Sequence, residues 1–258
     1  MNIASTETWL HRVNPTLKLF GVLFLCFAVL WIHELNYLLN LTVGIFILFL
    51  LFSGHRFKHL VPLLIPFGLI FLSTSSAMIL FGQGVTTWFK WGLVHITEES
   101  FYRGLLVGLR ALLFAALGLT FALTTKPVYL FYSLMQQAKL KPKYAYSFMA
   151  AFRLIPIIME EFQTIRNAMR VRGVERQKGI RAVNFKLKAY SIPLLSGSIR
   201  RAHRIAVAME AKRFTDANGR TYYYQLRFSK ADLTFTCYFV FILVAGYYVA
   251  GWLPIFII

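Results

Sequence analysis

The chain has 258 residues, of which 58% are hydrophobic and only 15% are charged. A soluble globular domain carries about 25% charged residues, so this composition excludes an ordinary soluble domain and indicates an integral membrane protein. The formal net charge is +18 at pH 7. In a membrane protein such a charge reports topology and attraction to anionic lipid more often than binding to nucleic acid.

Five apolar segments approach the ~20 residues that a helix needs to cross a bilayer. They comprise residues 17–32, 35–52, 60–81, 104–125 and 233–258. We therefore predict an all-α, polytopic membrane protein with about five membrane helices. Lys18 is expected to extend its ammonium group towards the membrane surface. Pro62 and Pro66 are expected to bend or shorten the third segment.

The distribution of charge predicts the orientation of these helices, because cytoplasmic loops are enriched in Lys and Arg. The loop 55–59 is basic, whereas the loop 82–103 has two bases and two acids. Residues 126–232 contain 21 Lys and Arg against six Asp and Glu. We expect N-terminal membrane helices in 1–125, a cytoplasmic domain in 126–232 and a C-terminal membrane helix in 233–258. The N-terminus is then cytoplasmic and the C-terminus lies outside the plasma membrane.

Two helices are predicted within the cytoplasmic domain. Apolar residues at steps of three and four indicate a helix over 144–172, kinked at Pro156 and ended by Gly173. A second helix is predicted over about 194–214, after a basic linker at 179–188. The apolar positions are Ala145, Phe148, Met149, Phe152, Ile155 and Met159 in the first helix, and Ile199, Ala202, Ile205, Ala206 and Met209 in the second.

A short motif occurs twice, at the predicted ends of these two helices. Residues 168–174 read Ala-Met-Arg-Val-Arg-Gly-Val, and residues 208–214 read Ala-Met-Glu-Ala-Lys-Arg-Phe. A cation in the last turn of a helix is favourable by itself, because the terminal carbonyls are partly negative there. The motif recurs in the same register forty residues later, which capping of each helix by itself does not explain. Two equivalent helix ends suit a partner with two equivalent grooves.

Catalytic and metal-binding motifs are absent from the sequence. It contains no GxxxxGK[S/T], HExxH or GxSxG, so we predict that the chain is not an enzyme. His55 and His59 lack a third ligand and are interpreted as part of a basic loop. Glu160 and Glu161 are interpreted as solvated helix charges, because adjacent helical residues do not face one another.

Two arginines stand among apolar neighbours. Arg110 and Arg153 are each expected either to reach lipid phosphate at the membrane boundary or to have a functional role, because an unpaired charge in a membrane is costly.

The two motifs resemble the Ala-Arg-Gly-like motifs of the transmembrane (T) component of energy-coupling factor transporters, which are ABC-type importers of vitamins and transition-metal ions. Residues 8–19 are similar to that family's N-terminal stretch LHxLDPRxKL. Residues 143–161 and 200–211 resemble the approaches to its two cytoplasmic coupling helices. The resemblance covers nearly the whole chain.

The resemblance implies which residues couple to the ATPases. At the two helix ends these are Val171, Arg172, Gly173, Ala211, Lys212 and Arg213. Supporting positions in the coupling helices are Arg153, Pro156, Glu160, Glu161, Met169, Arg170, Met209 and Glu210. The second end has Lys and Arg where the motif has Arg and Gly, which leaves open whether Lys212 or Arg213 makes the contact.

The resemblance also implies the partners. One partner is a pair of ABC ATPase subunits or domains, and the other is a membrane S component that binds substrate. Because the two helix ends are unequal, we expect the ATPases to be non-identical or fused. ATP and magnesium are expected in the ATPases, with no cofactor in this chain and no nucleic acid partner. The expected function is to transmit ATPase movement to the S component for uptake of a vitamin or related micronutrient.

Three alternatives stay open. One is the T subunit of a cobalt or nickel importer, because in this family the S component largely determines the substrate. Another is a membrane-tethered protein that binds nucleic acid or lipid through 126–232. The third is a membrane enzyme that uses Arg153, Glu160 and Glu161.

Overall fold

The structure is a computed structural model that describes residues 8–54, 57–82, 84, 86–91, 94–173, 179–214 and 221–252. Among these residues it contains eight α-helices and one short antiparallel hairpin, which confirms the all-α prediction. The helices are Pro15–Trp31 (α1), Leu35–Phe52 (α2), Phe57–Phe81 (α3), Glu98–Thr124 (α4), Pro127–Gln137 (α5), Pro142–Val171 (α6), Ile180–Ala211 (α7) and Lys230–Trp252 (α8). The hairpin strands are Thr87–Trp91 (β1) and Val94–Thr97 (β2).

Four helices are long and apolar enough to cross a membrane, namely α2, α3 from Leu60, α4 and α8. The apolar helix α1 is shorter, with 17 residues, so the described chain has four or five candidate spans. α3 runs through both Pro62 and Pro66, so the helix is not shortened there, and the bend that was the other expectation stays a prediction. Proline is tolerated in a membrane helix because its surroundings satisfy the backbone groups that it frees.

The chain divides into two compact units. One comprises residues 1–133 and 226–258 and contains the candidate spans; we call it the membrane unit. The other comprises residues 134–225 and contains α6 and α7; we call it the helix-pair unit. The domains predicted at 1–125, 126–232 and 233–258 are defined by their expected location inside or outside the membrane. This division stays a prediction.

Small residues allow the helices of the membrane unit to approach closely. A Cβ atom added at Gly104 of α4 would lie 2.9 Å from the carbonyl oxygen of Ser75 in α3. One added at Gly108 would lie 2.8 Å from the ring of Phe71. Two glycines four residues apart on one face therefore bring α4 against α3, as small residues do in membrane helix packing.

Lys18 is buried, so the prediction that it reaches the membrane surface is wrong. Its side chain is 1% exposed, and Nζ donates to the carbonyl oxygen of Leu10 at 2.7 Å. It also donates to the carbonyl and hydroxyl oxygens of Thr124, the last residue of α4, both at 3.2 Å. These acceptors replace water, and the negative end of the α4 dipole favours the cation.

Arg110 also makes an intramolecular contact. Its guanidinium donates to the carbonyl oxygen of Ile32 at 2.5 Å, and Ile32 is the C-terminal cap of α1. This hydrogen bond joins α4 to the end of α1, and the choice between a contact with lipid phosphate and a functional role stays a prediction. A cation at this place is favoured by the partial negative charge of the helix C-terminus.

The helix-pair unit differs from the prediction in one main respect. α7 begins at Ile180, so the basic linker predicted at 179–188 is helical. Lys, Arg, Leu and Ala are good helix formers, and Pro193 lies within the helix without ending it. α6 likewise continues through Pro156, and the kink predicted there stays a prediction.

Candidate functional site: two equivalent helix ends

The repeat in the sequence extends back along both helices as a pattern of burial. Half-buried side chains recur every four residues near the end of α6, and α7 repeats the pattern forty residues later. A step of four residues follows one face of a helix, so both helices partly bury the equivalent face. These residues are Glu161, Ile165 and Met169 in α6, and Arg201, Ile205 and Met209 in α7.

An ion pair joins the two helices on this face. Nη2 of Arg201 donates to Oε2 of Glu161 at 2.7 Å, and the two side chains are 23% and 27% exposed. Gly197 makes room for the carboxylate, because a Cβ atom there would lie 2.9 Å from Oε1 of Glu161. The contact is therefore closer and better shielded from water than an ordinary surface ion pair.

The ion pair lies at matched places in the two helices. Glu161 and Arg201 occupy equivalent positions in the repeat, forty residues apart, and contact each other. Arg172 and Lys212 each follow it by eleven residues, which is about 16 Å along a helix.

The two helices run in opposite directions past the ion pair. Phe214, just after α7, packs on Tyr146 near the start of α6, with ring centroids 5.3 Å apart. A residue late in α7 thus meets one early in α6, while Arg201 and Glu161 meet between them. The two C-terminal ends therefore lie on opposite sides of the ion pair.

α6 ends as the sequence predicts. Its last helical residue is Val171, and the backbone N–H of Arg172 donates to the carbonyl of Ala168 at 3.2 Å. Gly173 follows with a φ of +74°, which glycine adopts without steric cost. Its N–H donates to the carbonyl of Arg170 at 3.0 Å. Gly173 is therefore the residue that stops this helix.

α7 ends with the same backbone geometry although it has no glycine. Lys212 is its cap, and Arg213 takes a left-handed φ of +52°. The N–H of Arg213 donates to the carbonyl of Glu210 at 2.8 Å, and that of Phe214 donates to Met209 at 2.9 Å. These two hydrogen bonds form a complete Schellman motif, the usual C-terminal closure of a helix.

The matching geometry pairs the residues of the two ends. Arg213 occupies the position of Gly173, and Lys212 occupies the position of Arg172. The six predicted coupling residues are all exposed, and Val171 is 90% exposed. Each end therefore presents one equivalent cation to the surroundings, and the second end presents an additional one.

The predicted supporting residues separate into two groups. Met169, Met209 and Glu161 lie on the half-buried face described above. The exposed group consists of Arg153, Pro156, Glu160, Arg170 and Glu210. Glu160 and Glu161 thus have different surroundings and do not form a pair for acid–base chemistry. The ion pair itself was missed, although extending the repeat backwards from Ile165 and Ile205 aligns an acid with a base.

The apolar positions predicted in α6 lie on two faces. Ala145 and Met149 are buried, whereas Phe148, Phe152 and Met159 are 53%, 40% and 60% exposed. The spacing therefore predicts the helix, but the positions that share it differ in exposure. α7 also exposes apolar side chains along its length, among them Leu187, Ile192, Leu195 and Ile199.

The other predicted sites remain untested. No group of three or more metal-ligating side chains occurs within the described ranges. His55 and the side chain of His59 lie outside the described residues. The absence of a metal site therefore stays a prediction.

Comparison with known proteins agrees with the resemblance in the sequence. Residues 6–223, which include both helix ends, match the family CbiQ, described as cobalt transport protein. The energy-coupling factor transporter transmembrane protein EcfT of Limosilactobacillus fermentum is 33% identical over 168 residues, 62% of each chain. EcfT 1 of Listeria monocytogenes serotype 1/2a is 34% identical over 183 residues, 68% of each chain. The chain thus belongs to the CbiQ family of non-catalytic transmembrane transporter subunits, which includes the EcfT components of energy-coupling factor transporters.

Proposed function

We propose that this chain is the coupling subunit of an energy-coupling factor importer. It would join a pair of cytoplasmic ABC ATPases to a membrane S component and transmit ATP-driven movement for uptake of a vitamin or related micronutrient. The observation that carries the proposal is the pair of exposed helix ends with equivalent backbone geometry, which follow one ion pair at the same spacing. The relatives' names, which refer to energy-coupling factor transporters, support it.

Each helix end would dock in a groove of one ATPase. The position equivalent to Arg172 is Lys212, so we propose that Lys212 makes the second charge contact and that Arg213 is the stop of the helix. Acidic groove residues would pair with the two cations. Because Lys lacks the planar fork of Arg, the two contacts would differ, which favours a non-identical or fused ATPase pair.

Charge reversal tests the docking. Arg172→Glu or Lys212→Glu should abolish co-purification of the ATPases, because breaking a desolvated charge pair costs about 2–5 kcal/mol. Arg204→Glu is the matched control, since Arg204 is an exposed base two turns before the end of α7. Its complex should assemble as the wild type does. Normal assembly and uptake in the Arg172 and Lys212 variants would refute the docking.

The exposed apolar stripes of α6 and α7 are the surface that we propose contacts the S component. Phe148, Phe152 and Met159 recur along α6 at steps of four and seven residues, as side chains on one helix face do. Met and Phe side chains adapt to a partner that moves across them. Met159→Glu should therefore reduce S-component association while ATPase binding persists, as measured by co-purification of each partner.

The T subunit of a cobalt or nickel importer is the second candidate, and the family's description as cobalt transport protein favours it. The two candidates assign the same role to this chain and differ in the S component. Mass spectrometry of the co-purified complex, followed by binding of vitamins or Co²⁺ and Ni²⁺ to the purified S component, distinguishes them.

We also propose that the N-terminus and residues 126–232 are cytoplasmic. Cysteine accessibility tests this in a Cys26→Ala/Cys237→Ala background. Thr86→Cys, in an exposed position before β1, should react with an impermeant thiol reagent from outside the cell. Asn184→Cys, at an exposed position in α7, should react only after the membrane is permeabilised. The opposite pattern would reverse the orientation.

A further inference from the structure

The boundary between the two compact units falls within α5. The membrane unit extends to Ser133 and the helix-pair unit begins at Leu134, although α5 runs without interruption from Pro127 to Gln137. The chain returns to the membrane unit at Leu226, four residues before α8 begins. Two covalent connections, one outgoing and one returning, therefore join the helix-pair unit to the membrane unit.

The outgoing connection ends in the membrane unit at a buried hydroxyl group. Ser133 is fully buried, and its Oγ donates to Oδ1 of Asn14 at 2.6 Å. The same oxygen accepts the hydroxyl of Thr16 at 2.6 Å and the backbone N–H of Thr16 at 3.3 Å. Asn14 is the N-terminal cap of α1, and Thr16 lies in its first turn. Ser133 thus fixes α5 to the start of α1.

The returning connection reaches the same helix start through Asp232, in the first turn of α8. Its Oδ2 accepts the backbone N–H of Ser229, and its Oδ1 accepts that of Asn14, both at 2.6 Å. Asn14 therefore contacts both sides, because its backbone donates to Asp232 and its side chain accepts from Ser133. We call Asn14, Thr16, Ser133 and Asp232 the anchor.

Within the helix-pair unit, the same two connections are bonded to each other. Nε2 of Gln136, three residues after Ser133, donates to the carbonyl oxygen of Tyr224 at 2.6 Å. Tyr224 lies two residues before Leu226, where the chain returns to the membrane unit. The outgoing and returning connections are thus neighbours, and neighbouring connections near helix ends are the usual site of a hinge.

The anchor is suited to hold the base of this hinge. Its four residues are each at most 5% exposed, so breaking one of their hydrogen bonds leaves a buried polar group without a partner, which is costly. A hydrogen bond also has a preferred length and direction, whereas apolar packing alone is non-directional. Movement of the helix-pair unit should therefore take place beyond Ser133 and not within the membrane unit.

We propose that the anchor is the fixed mount from which the helix-pair unit moves when the ATPases close. The role of the anchor rests on the proposed function, because the ATPases supply the driving movement. Ser133 and Thr16 are positioning residues: both are buried, and they act through α5 on the helices that carry the coupling ends. Without their hydroxyl groups, α5 would be less firmly held and the orientation of the helix-pair unit less well defined.

Hydrogen exchange of the purified full-length chain in detergent tests the anchor without any partner. Ser133→Ala and Thr16→Val each remove one hydroxyl group of the anchor. Exchange in α5 should rise about tenfold, as expected for loss of a buried hydrogen bond. Exchange at 229–232 should stay constant, because Asp232 still accepts the N–H of Ser229. A rise in both segments would show unfolding of the membrane unit in place of a released α5, and would overturn the proposal.

Two control variants separate the anchor from any other buried hydroxyl group. Thr16→Ser keeps the hydroxyl group that donates to Ser133 and should exchange as the wild type does. Thr42→Val removes a hydroxyl group that is equally buried, in a residue 6% exposed, but donates to the carbonyl of Leu38 in its own helix. It should leave exchange in α5 unchanged.

The movement is measured in the complex that co-purifies with the ATPases. Spin labels are attached at Trp31→Cys in the membrane unit and Asn184→Cys in the helix-pair unit, both exposed, in a Cys26→Ala/Cys237→Ala background. Pulsed electron–electron double resonance gives the distribution of distances between the labels. The wild-type distribution should be narrow and should shift when ATP and vanadate are added. Ser133→Ala and Thr16→Val should broaden it in both states, while the ATPases still bind and hydrolyse ATP.

The outcomes distinguish failure of the anchor from failure of the proposed function. If no ATPase co-purifies with the wild type, the proposed function is refuted and the role of the anchor with it. If the complex forms, distributions of equal width in the wild type and both anchor variants overturn the anchor alone. Unchanged exchange in α5, a wild-type distance that nucleotide does not shift, or equal broadening by Thr16→Ser or Thr42→Val also overturns it.

Discussion

The membrane unit and the helix-pair unit differ in how much of their side-chain surface is buried within the unit itself. The membrane unit has a continuous apolar core contributed by α1, α2, α4 and α8, with glycine contacts between helices and buried hydrogen bonds at the helix ends. In the helix-pair unit, the buried described residues are only Met135, Ala145, Met149 and Gly197. The first unit is held together by its own packing, whereas the second leaves most of two long helices available for partners or lipid.

We expect the largest loss of stability from substitution of Asp232 in the membrane unit. Asp232→Ala removes a buried carboxylate and leaves the backbone N–H groups of Asn14 and Ser229 without their acceptor. Breaking such a buried arrangement costs about 3–5 kcal/mol. The midpoint of thermal unfolding in detergent should fall steeply, whereas Lys230→Ala, at an exposed position two residues away, should leave it unchanged. Equal midpoints would show that the buried polar groups do not hold this unit together.

The glycine contact between α3 and α4 should give the next effect. Gly108→Leu places a side chain where even a Cβ atom would lie 2.8 Å from the ring of Phe71. Overpacking of this kind costs about 1–3 kcal/mol. Gly118→Leu is a control in the same helix, because a Cβ atom there meets nothing within 4 Å. A lower unfolding midpoint for Gly108→Leu alone is expected, and equal midpoints would contradict close packing of α3 on α4.

The ion pair of the helix-pair unit should have a smaller and more local effect. Glu161→Gln should weaken the contact with Arg201 by about 1 kcal/mol, because both groups are partly exposed. Hydrogen exchange in residues 134–225 should increase, while exchange in the membrane unit stays constant. Glu160→Gln is the control at an exposed neighbouring position, and Glu161→Arg/Arg201→Glu should restore protection. An increase in exchange throughout the chain would show that the two units do not respond separately.

The sequence predicts elements that depend on local hydropathy better than elements that depend on contacts between distant residues. Membrane helices follow from the length of apolar runs, which is a local property, so α2 and the apolar part of α3 match the predicted segments. The apolar run predicts α4 from residue 104, but the helix begins at Glu98, because Thr97 caps it and accepts the N–H of Ser100. The hairpin before it depends on pairing between strands and has no comparable hydropathy signal.

Burial of polar residues was the harder part to predict. The position of Lys18 near the start of an apolar segment predicts that its ammonium group is exposed. Its burial depends on acceptors at Leu10 and at Thr124, which is 106 residues away along the chain. No local pattern contains that information. The end of α6, by contrast, follows from the sequence, because the cation Arg172 and the stop Gly173 are adjacent. The stop at Arg213 in α7 has no such signal.

The last prediction concerns the end of α7. It involves the smallest expected change in stability, and it tests whether Lys212 or Arg213 makes the second contact with the ATPases. Arg213→Gly should stabilise that end by about 0.5 kcal/mol, since relief of a left-handed non-glycine residue exceeds the entropy cost of glycine. If Lys212 makes the contact, this variant should bind the ATPases with unchanged affinity in a pull-down titration. Lys212→Gln, which keeps Arg213 and the helix stop, should bind them more weakly. If Arg213→Gly loses binding and Lys212→Gln keeps it, the contact belongs to Arg213, and the equivalence of the two helix ends is one of backbone geometry only.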